Sequence, residues 1–242
     1  MAIPTPVSFW NFDESSGNAI DALGLNNLTN NNTVTYVAGL IGNAANFVRS
    51  SSQYFQISDA AQTGLDITGN LSMSMWINLA NALSTYANET FMAKYDYTIP
   101  QQSYSLDAFQ DSGVDKFRFI TSSNGSNNDQ MTISTGITLS TSTWYHIAVV
   151  FTAASATTEL YLNGVSKGTA TGSFTSIFNS TAPFQISAFS NQTEYINGKM
   201  DMAGIWNTTL TSADITELYN GGAGLQYPFY SAQNSNFLMY MA

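Results

Sequence analysis

Residues 144–171, WYHIAVVFTAASATTELYLNGVSKGTAT, are where the fold can be read most directly. The run from Trp144 to Phe151 is apolar and rich in β-branched and aromatic residues. It is too short for a typical helix and has turn formers on either side, so it predicts a strand buried on both faces. Leu160, Tyr161 and Leu162 then lead into Asn163-Gly164, and Val165 begins the return. Both central positions of a type I′ turn need positive φ, which Asn-Gly tolerates, so a hairpin is predicted here.

Outward from this pair, the chain reads as further short strands separated by turn residues. They are expected at residues 7–12, 33–37, 44–48, 53–57, 71–79, 89–94, 103–109, 116–121, 130–134, 184–188 and 198–206. This is an all-β pattern. In LSMSMWINL (71–79), period two places Leu71, Met73, Met75, Ile77 and Leu79 on a core face. Trp76 falls on the opposite face, either under a covering segment or on an open concave surface. The one convincing helix is 211–220: Thr211 or Ser212 can cap it, Asp214 favours its positive end, and Gly221-Gly222 end it. So short a helix is expected to cover only an edge or an end.

The chain has 242 residues, no cysteine and one histidine, with 9% charged residues and a net charge of -10. Nothing divides it, so a single all-β domain is expected, large enough to need no staples. Disulfides, thiolate metal sites and cysteine nucleophiles are excluded. The few basic residues are scattered, so a phosphate backbone would be repelled and nucleic acid is not an expected partner. The opening MAIPTPVSFW lacks a basic and apolar leader pattern, and no apolar run approaches membrane-spanning length. A surface wetted by Asn, Ser, Thr and Gln suits an extracellular or particle-surface protein.

Several segments, in order, resemble laminin G-like domains of the concanavalin A-like superfamily. Trp10-Asn11-Phe12-Asp13-Glu14 with Gly17 is similar to the opening motif, and Gly39 to Phe47 to the G-x-x-G-x-A-x-x-F segment. Trp144-Tyr145-His146-Ile147-Ala148 is similar to W-x-H-v-A, Leu160 to Gly164 to L-Y-v-N-G, and 198–219 to the closing strand and helix. The resemblance covers roughly residues 7–220. It implies a concanavalin A-like jelly-roll sandwich of two antiparallel sheets with a concave and a convex face. Residues 1–224 would form this domain and 225–242 an apolar tail that folds back or docks onto another subunit. Family members often hold a structural calcium where the first and last strands meet, and the matching residues are Asp13 and Asp201. Asp107, Asp111 and Asp115 are a weaker calcium candidate.

Catalysis is not expected. Paired acids on one strand, as glycosidases of this superfamily carry, are missing, and the only histidine, His146, sits in an apolar strand. Sugar binding uses aromatic faces beside amides and hydroxyls, which makes Trp76, Tyr95, Tyr97 and Tyr104, with Phe109, the expected contacts. The expected function is a surface-display or adhesion module, a capsid decoration or receptor-binding protein of a phage or virus. Its partners would be a surface glycan, copies of itself or other virion proteins. The alternative is a carbohydrate-binding module of a secreted glycan-degrading enzyme.

Overall fold

The computed structural model describes residues 2–83, 88–98, 100–126, 128–133, 137–189 and 194–229. In chain order the strands are β1 (Ser8–Trp10), β2 (Thr29–Asn31), β3 (Thr35–Ala38), β4 (Asn43–Phe47), β5 (Tyr54–Ile57), β6 (Leu71–Leu79), β7 (Glu89–Tyr95) and β8 (Gln102–Asp111). They continue with β9 (Val114–Ser122), β10 (Asn128–Ile133), β11 (Tyr145–Thr152), β12 (Thr157–Leu162), β13 (Val165–Thr171), β14 (Phe184–Ile186) and β15 (Gly198–Trp206), and one helix follows, α1 (Ser212–Tyr219).

Two antiparallel sheets result. One runs β13-β12-β11-β6-β15-β4-β3, with β1 also on β15. The other runs β10-β9-β8-β7-β14-β5-β2. The Asn163-Gly164 turn joins β12 to β13 with φ of 53° and 75°, the geometry that the sequence predicts. Leu71, Met73, Met75, Ile77 and Leu79 all face the inter-sheet core, as period two requires. Rings interlock across that core: Trp10 stacks on Phe184 at 5.4 Å and Phe119 meets Phe151 at 5.9 Å. At one end, the fully buried Lys94 ties down the chain by donating to Asp59 (2.6 Å) and to the carbonyls of Ser180 and Ala182. No helix among the described residues is long and apolar enough to cross a membrane.

The outer face of the eight-stranded sheet is covered. Trp76 and His146 lie there beneath Tyr219 of α1, Trp76 stacking on it at 5.7 Å. The helix therefore sits over β6, β11 and β12, not at an edge or end as expected. Its eight residues suffice because Ile215 and Leu218 land on an apolar island that also holds Phe9, Tyr161 and Trp206. The tail begins by folding back onto the same side. Phe229 packs on Phe9 (5.3 Å) and Trp206 (6.4 Å), and Asn11 exchanges hydrogen bonds with the Tyr227 backbone. Residues 230–242 lie outside the described residues.

Candidate functional site

With one outer face occupied by α1 and the tail, the outer face of the seven-stranded sheet carries the candidate site. Strand β8 alternates, so Tyr104, Leu106 and Ala108 enter the core. Ser103, Ser105, Asp107 and Phe109 then point outward. Across the sheet, Asp107 lies opposite Arg118 and Thr90, and Ser105 opposite Ile120 and Ala93. The Ser112-Gly113 turn, with positive φ at both residues, holds that register.

Arg118 grips the fully buried Asp107 as a fork: Nε is 3.1 and 3.2 Å from the two carboxylate oxygens and Nη2 is 2.7 Å from Oδ2. The guanidinium also lies 4.9 Å over the Phe109 ring. Burial pushes Asp107 up to about 6 against the pull of Arg118, so the pair is ionised at neutral pH. Beside it, Tyr97, Tyr95 and Phe189 meet edge to face at 5.4 to 5.5 Å. Tyr95 and Phe189 are buried, whereas Tyr97 is 45% exposed. Desolvation and the charge of Glu194 raise the Tyr97 phenol, keeping it a neutral donor. Glu194 accepts from Asn88 through Oε1 (2.9 Å). Its Oε2 is buried without a partner, as are Thr90 Oγ1, Ser105 Oγ and Gln185 Oε1. Buried polar atoms are nearly always paired, and the charge of Glu194 reaches both Tyr97 and the Asp107–Arg118 pair, so its free oxygen leaves this patch an acceptor for a ligand or ordered water.

Of the expected contacts, the structure brings only Tyr95 and Tyr97 together, with Phe109 nearby across Arg118. Trp76 lies on the far side of the molecule, 3% exposed under α1, and Tyr104 is a core residue whose hydroxyl donates to the Leu65 carbonyl at 2.8 Å. Neither presents a ring face to a ligand. The sequence reading missed Phe189, Arg118 and Glu194. The Asp107–Arg118 pair had a usable signal, since folding 102–122 about Ser112-Gly113 sets these two residues opposite one another. Phe189 and Glu194 had none, because they arrive from a distant segment.

Asp13 and Asp201 flank one turn. Asp201 Oδ2 accepts from the backbone of Leu40 (2.9 Å) and Ile41 (3.3 Å), and Asp13 Oδ1 from that of Asn43 (3.0 Å). Gly42 has φ of 60° there, and a Cβ on it would lie 2.0 Å from Asp13 Oδ1. Burial, with the charge of Asp13 adding, pushes Asp201 up to about 7. Asp201 Oδ1 is buried without a partner, and that atom beside a second carboxylate fits a cation. The described residues bring no third acid, so further ligands would be carbonyls or water. The other acids disperse: Asp107 is on Arg118, Asp111 on Lys116 (2.7 Å), and Asp115 on the Leu139 backbone (2.9 Å).

A family model for the concanavalin A-like lectin/glucanases superfamily matches residues 49–216. Among solved structures, the chain is similar to domain 4 of AbnA, a GH43 extracellular arabinanase from Geobacillus stearothermophilus, in complex with arabinotriose. That match has a TM-score of 0.66 and 20% identity, covering 88% of this chain and 97% of that one. It is similar also to the botulinum neurotoxin serotype D binding domain (TM-score 0.65, 15% identity, 90% of this chain), of which it spans about half, 52%. The heptameric SAP-like pentraxin from Limulus polyphemus matches with a TM-score of 0.51 at 14% identity, over 63% of this chain and 70% of that one. At these identities the structural likeness shows the fold alone. No curated protein sequence matches the chain.

Proposed function

The chain belongs to the concanavalin A-like lectin/glucanases superfamily, and on that premise we propose that it is a non-enzymatic, lectin-like module whose seven-stranded sheet binds a saccharide. One observation carries this reading: the half-exposed Tyr97 ring packs edge to face on Tyr95 and Phe189 within electrostatic reach of Glu194 and of the Asp107–Arg118 pair, and Glu194 Oε2 is without a partner. The ring offers its face to a sugar's C–H surface. Thr90, Ser105 and Gln185 are 0%, 0% and 4% exposed, so sugar hydroxyls would be met by the Tyr97 hydroxyl and not by these side chains. The groups suit holding rather than turnover, since both Asp107 oxygens are engaged by Arg118 and one Glu194 oxygen by Asn88.

Titration calorimetry with arabinotriose, the sugar in complex with domain 4 of AbnA, tests the reading. Binding that falls at least tenfold in Tyr97→Ala, about 1.4 kcal/mol, is expected. Undiminished binding in that variant removes the site.

Two settings follow for such a module, both outside the cell. Likeness to nearly the whole of an arabinanase domain supports a carbohydrate-binding module of a glycan-degrading enzyme. The charge-poor, amide-rich composition supports display on a virus particle, as a capsid decoration or receptor-binding protein that self-associates. Mass spectrometry of intact particles from the source distinguishes them. A calcium ion at Asp13 and Asp201 would pin the 39–43 turn to β15. Its expected signature is a melting midpoint raised by calcium and lowered by chelator. An unchanged midpoint strikes both residues from the site.

A further inference from the structure

Asn32 and Thr33, between β2 and β3, both adopt left-handed backbone, with φ of 59° and 63°. Two consecutive positive φ values normally call for Asn-Gly, and a β-branched residue in the second place is a true outlier. The neighbourhood over-determines it. Gln53, itself 7% exposed, donates to both the Asn32 carbonyl (3.1 Å) and the Thr33 carbonyl (2.7 Å), and Asn32 donates to the Ser52 carbonyl (2.7 Å). Asn30 accepts from the Val34 backbone (2.7 Å) and donates across to the Gly17 carbonyl (2.7 Å), tying this turn to the facing segment 15–18. Strain held this firmly at a surface turn points toward function.

Between the two segments lies a cleft of about 590 Å³, lined among others by Asn18, Asn30, Asn32, Thr33, Thr35 and Tyr36. That size is in the range of small-ligand sites. Its lining has amides, hydroxyls and one aromatic ring and no charged side chain. Tyr36 is braced by its hydroxyl on the Gly17 carbonyl (3.2 Å) and by its ring against Phe55 (6.1 Å). We infer that this cleft is a second ligand site, separate from the Tyr97 patch, and that it takes an uncharged oligosaccharide. Without a fixed charge it gains nothing from an ionic ligand. The neutral groups that these bonds leave over, Asn18 Nδ2, Asn32 Oδ1 and the Thr33 hydroxyl, beside a ring face match a hydroxyl-rich one. The site lies at the β2–β3 edge. Strand β8, which carries Asp107, is four strands away in the sheet order, roughly 19 Å at the usual interstrand spacing.

Thr33 separates binding from stability. Thr33→Gly removes the strain, so Tm is expected to rise by about 2 to 4 °C, while the hydroxyl and methyl that line the cleft are lost. The test titrates ¹⁵N-labelled protein with xylotriose, maltotriose and chitotriose. With at least one of them, saturable amide shifts are expected at residues 15–18 and 30–36. These should persist in Tyr97→Ala and weaken at least tenfold in Thr33→Gly and in the exposed Thr35→Val. No saturable shift in the cleft with any probe overturns the inference, as does undiminished affinity in Thr33→Gly. A lower Tm in Thr33→Gly overturns the strain argument on which it stands.

Discussion

Asp107 shows how one residue's surroundings set its task. An aspartate on the outward side of a strand is ordinarily solvated and ionised far below neutrality. Here it is wholly buried and pushed up to about 6, so its bond to Arg118 is kept above that pH and lost below it. Because Arg118 also lies over Phe109 and beside the Tyr97 ring, its release disorders the patch. Saccharide affinity at the Tyr97 patch is expected to hold from pH 8 to pH 7 and to be about tenfold below that plateau at pH 5, as titration of a single proton near pH 6 requires. Calorimetry across that range, with Asp107→Asn already weak at pH 7, checks it; a flat profile detaches Asp107 from binding. The sequence marks Tyr97 as a residue of interest through composition, but the same argument marks Trp76 and Tyr104 equally. Burial separates them, and burial depends on what packs above each ring.

At the scale of elements, the hairpin and the helix depend on one another. Gly164 has φ of 75°, and a Cβ there would come within 2.9 Å of the Tyr219 ring, which in turn lies on Trp76. Gly164→Ala therefore strains the turn and lifts the helix together. A loss of about 2 kcal/mol is expected, from the left-handed backbone and the lost packing. Denaturant unfolding measures it, and a near-ultraviolet dichroism change from Trp76 should accompany it; a neutral variant would mean that the helix is not seated on the turn. Both elements are legible locally. Asn-Gly announces the turn, and Thr211 and Asp214 form the capping box seen at the helix start. That the helix covers a sheet face is not local information. The period-two pattern of β6 demands cover for Trp76 without naming the segment that supplies it.

Across the whole molecule, buried ionisable groups give a net pH dependence whose sign can be worked out. Burial raises Glu89 and Asp201 to about 7 and Asp107 to about 6. Each contributes stability that is full below its ordinary value and lost as pH rises through the folded value. His146, its Nε2 2.8 Å from Ser74 Oγ, is pushed down to about 3 by burial, so its contribution is full above 6.5 and lost as pH falls. Three raised carboxylates against one lowered imidazole leave the native state holding more protons between about pH 4 and 7. In chelator, Tm is expected to be higher at pH 5 than at pH 7.5, and thermal melts showing the opposite order contradict these assignments.

The sequence by itself determined the two-layer all-β class, the core face of β6, the Asn163-Gly164 turn and the helix with its cap. Each rests on interactions within a few residues: side-chain alternation, tolerance of positive φ, or a capping bond. Only the tertiary structure decided which sheet face the helix covers, which aromatic rings are buried, and how Asp13 and Asp201 come to share a turn. It alone sets Tyr97 beside Glu194 and Arg118, and the 15–18 segment opposite the strained turn at Thr33. Alternation specifies that a side chain is buried, whereas the partner that buries it is chosen by the docking of layers. That docking joins residues as far apart as Asn11 and Tyr227.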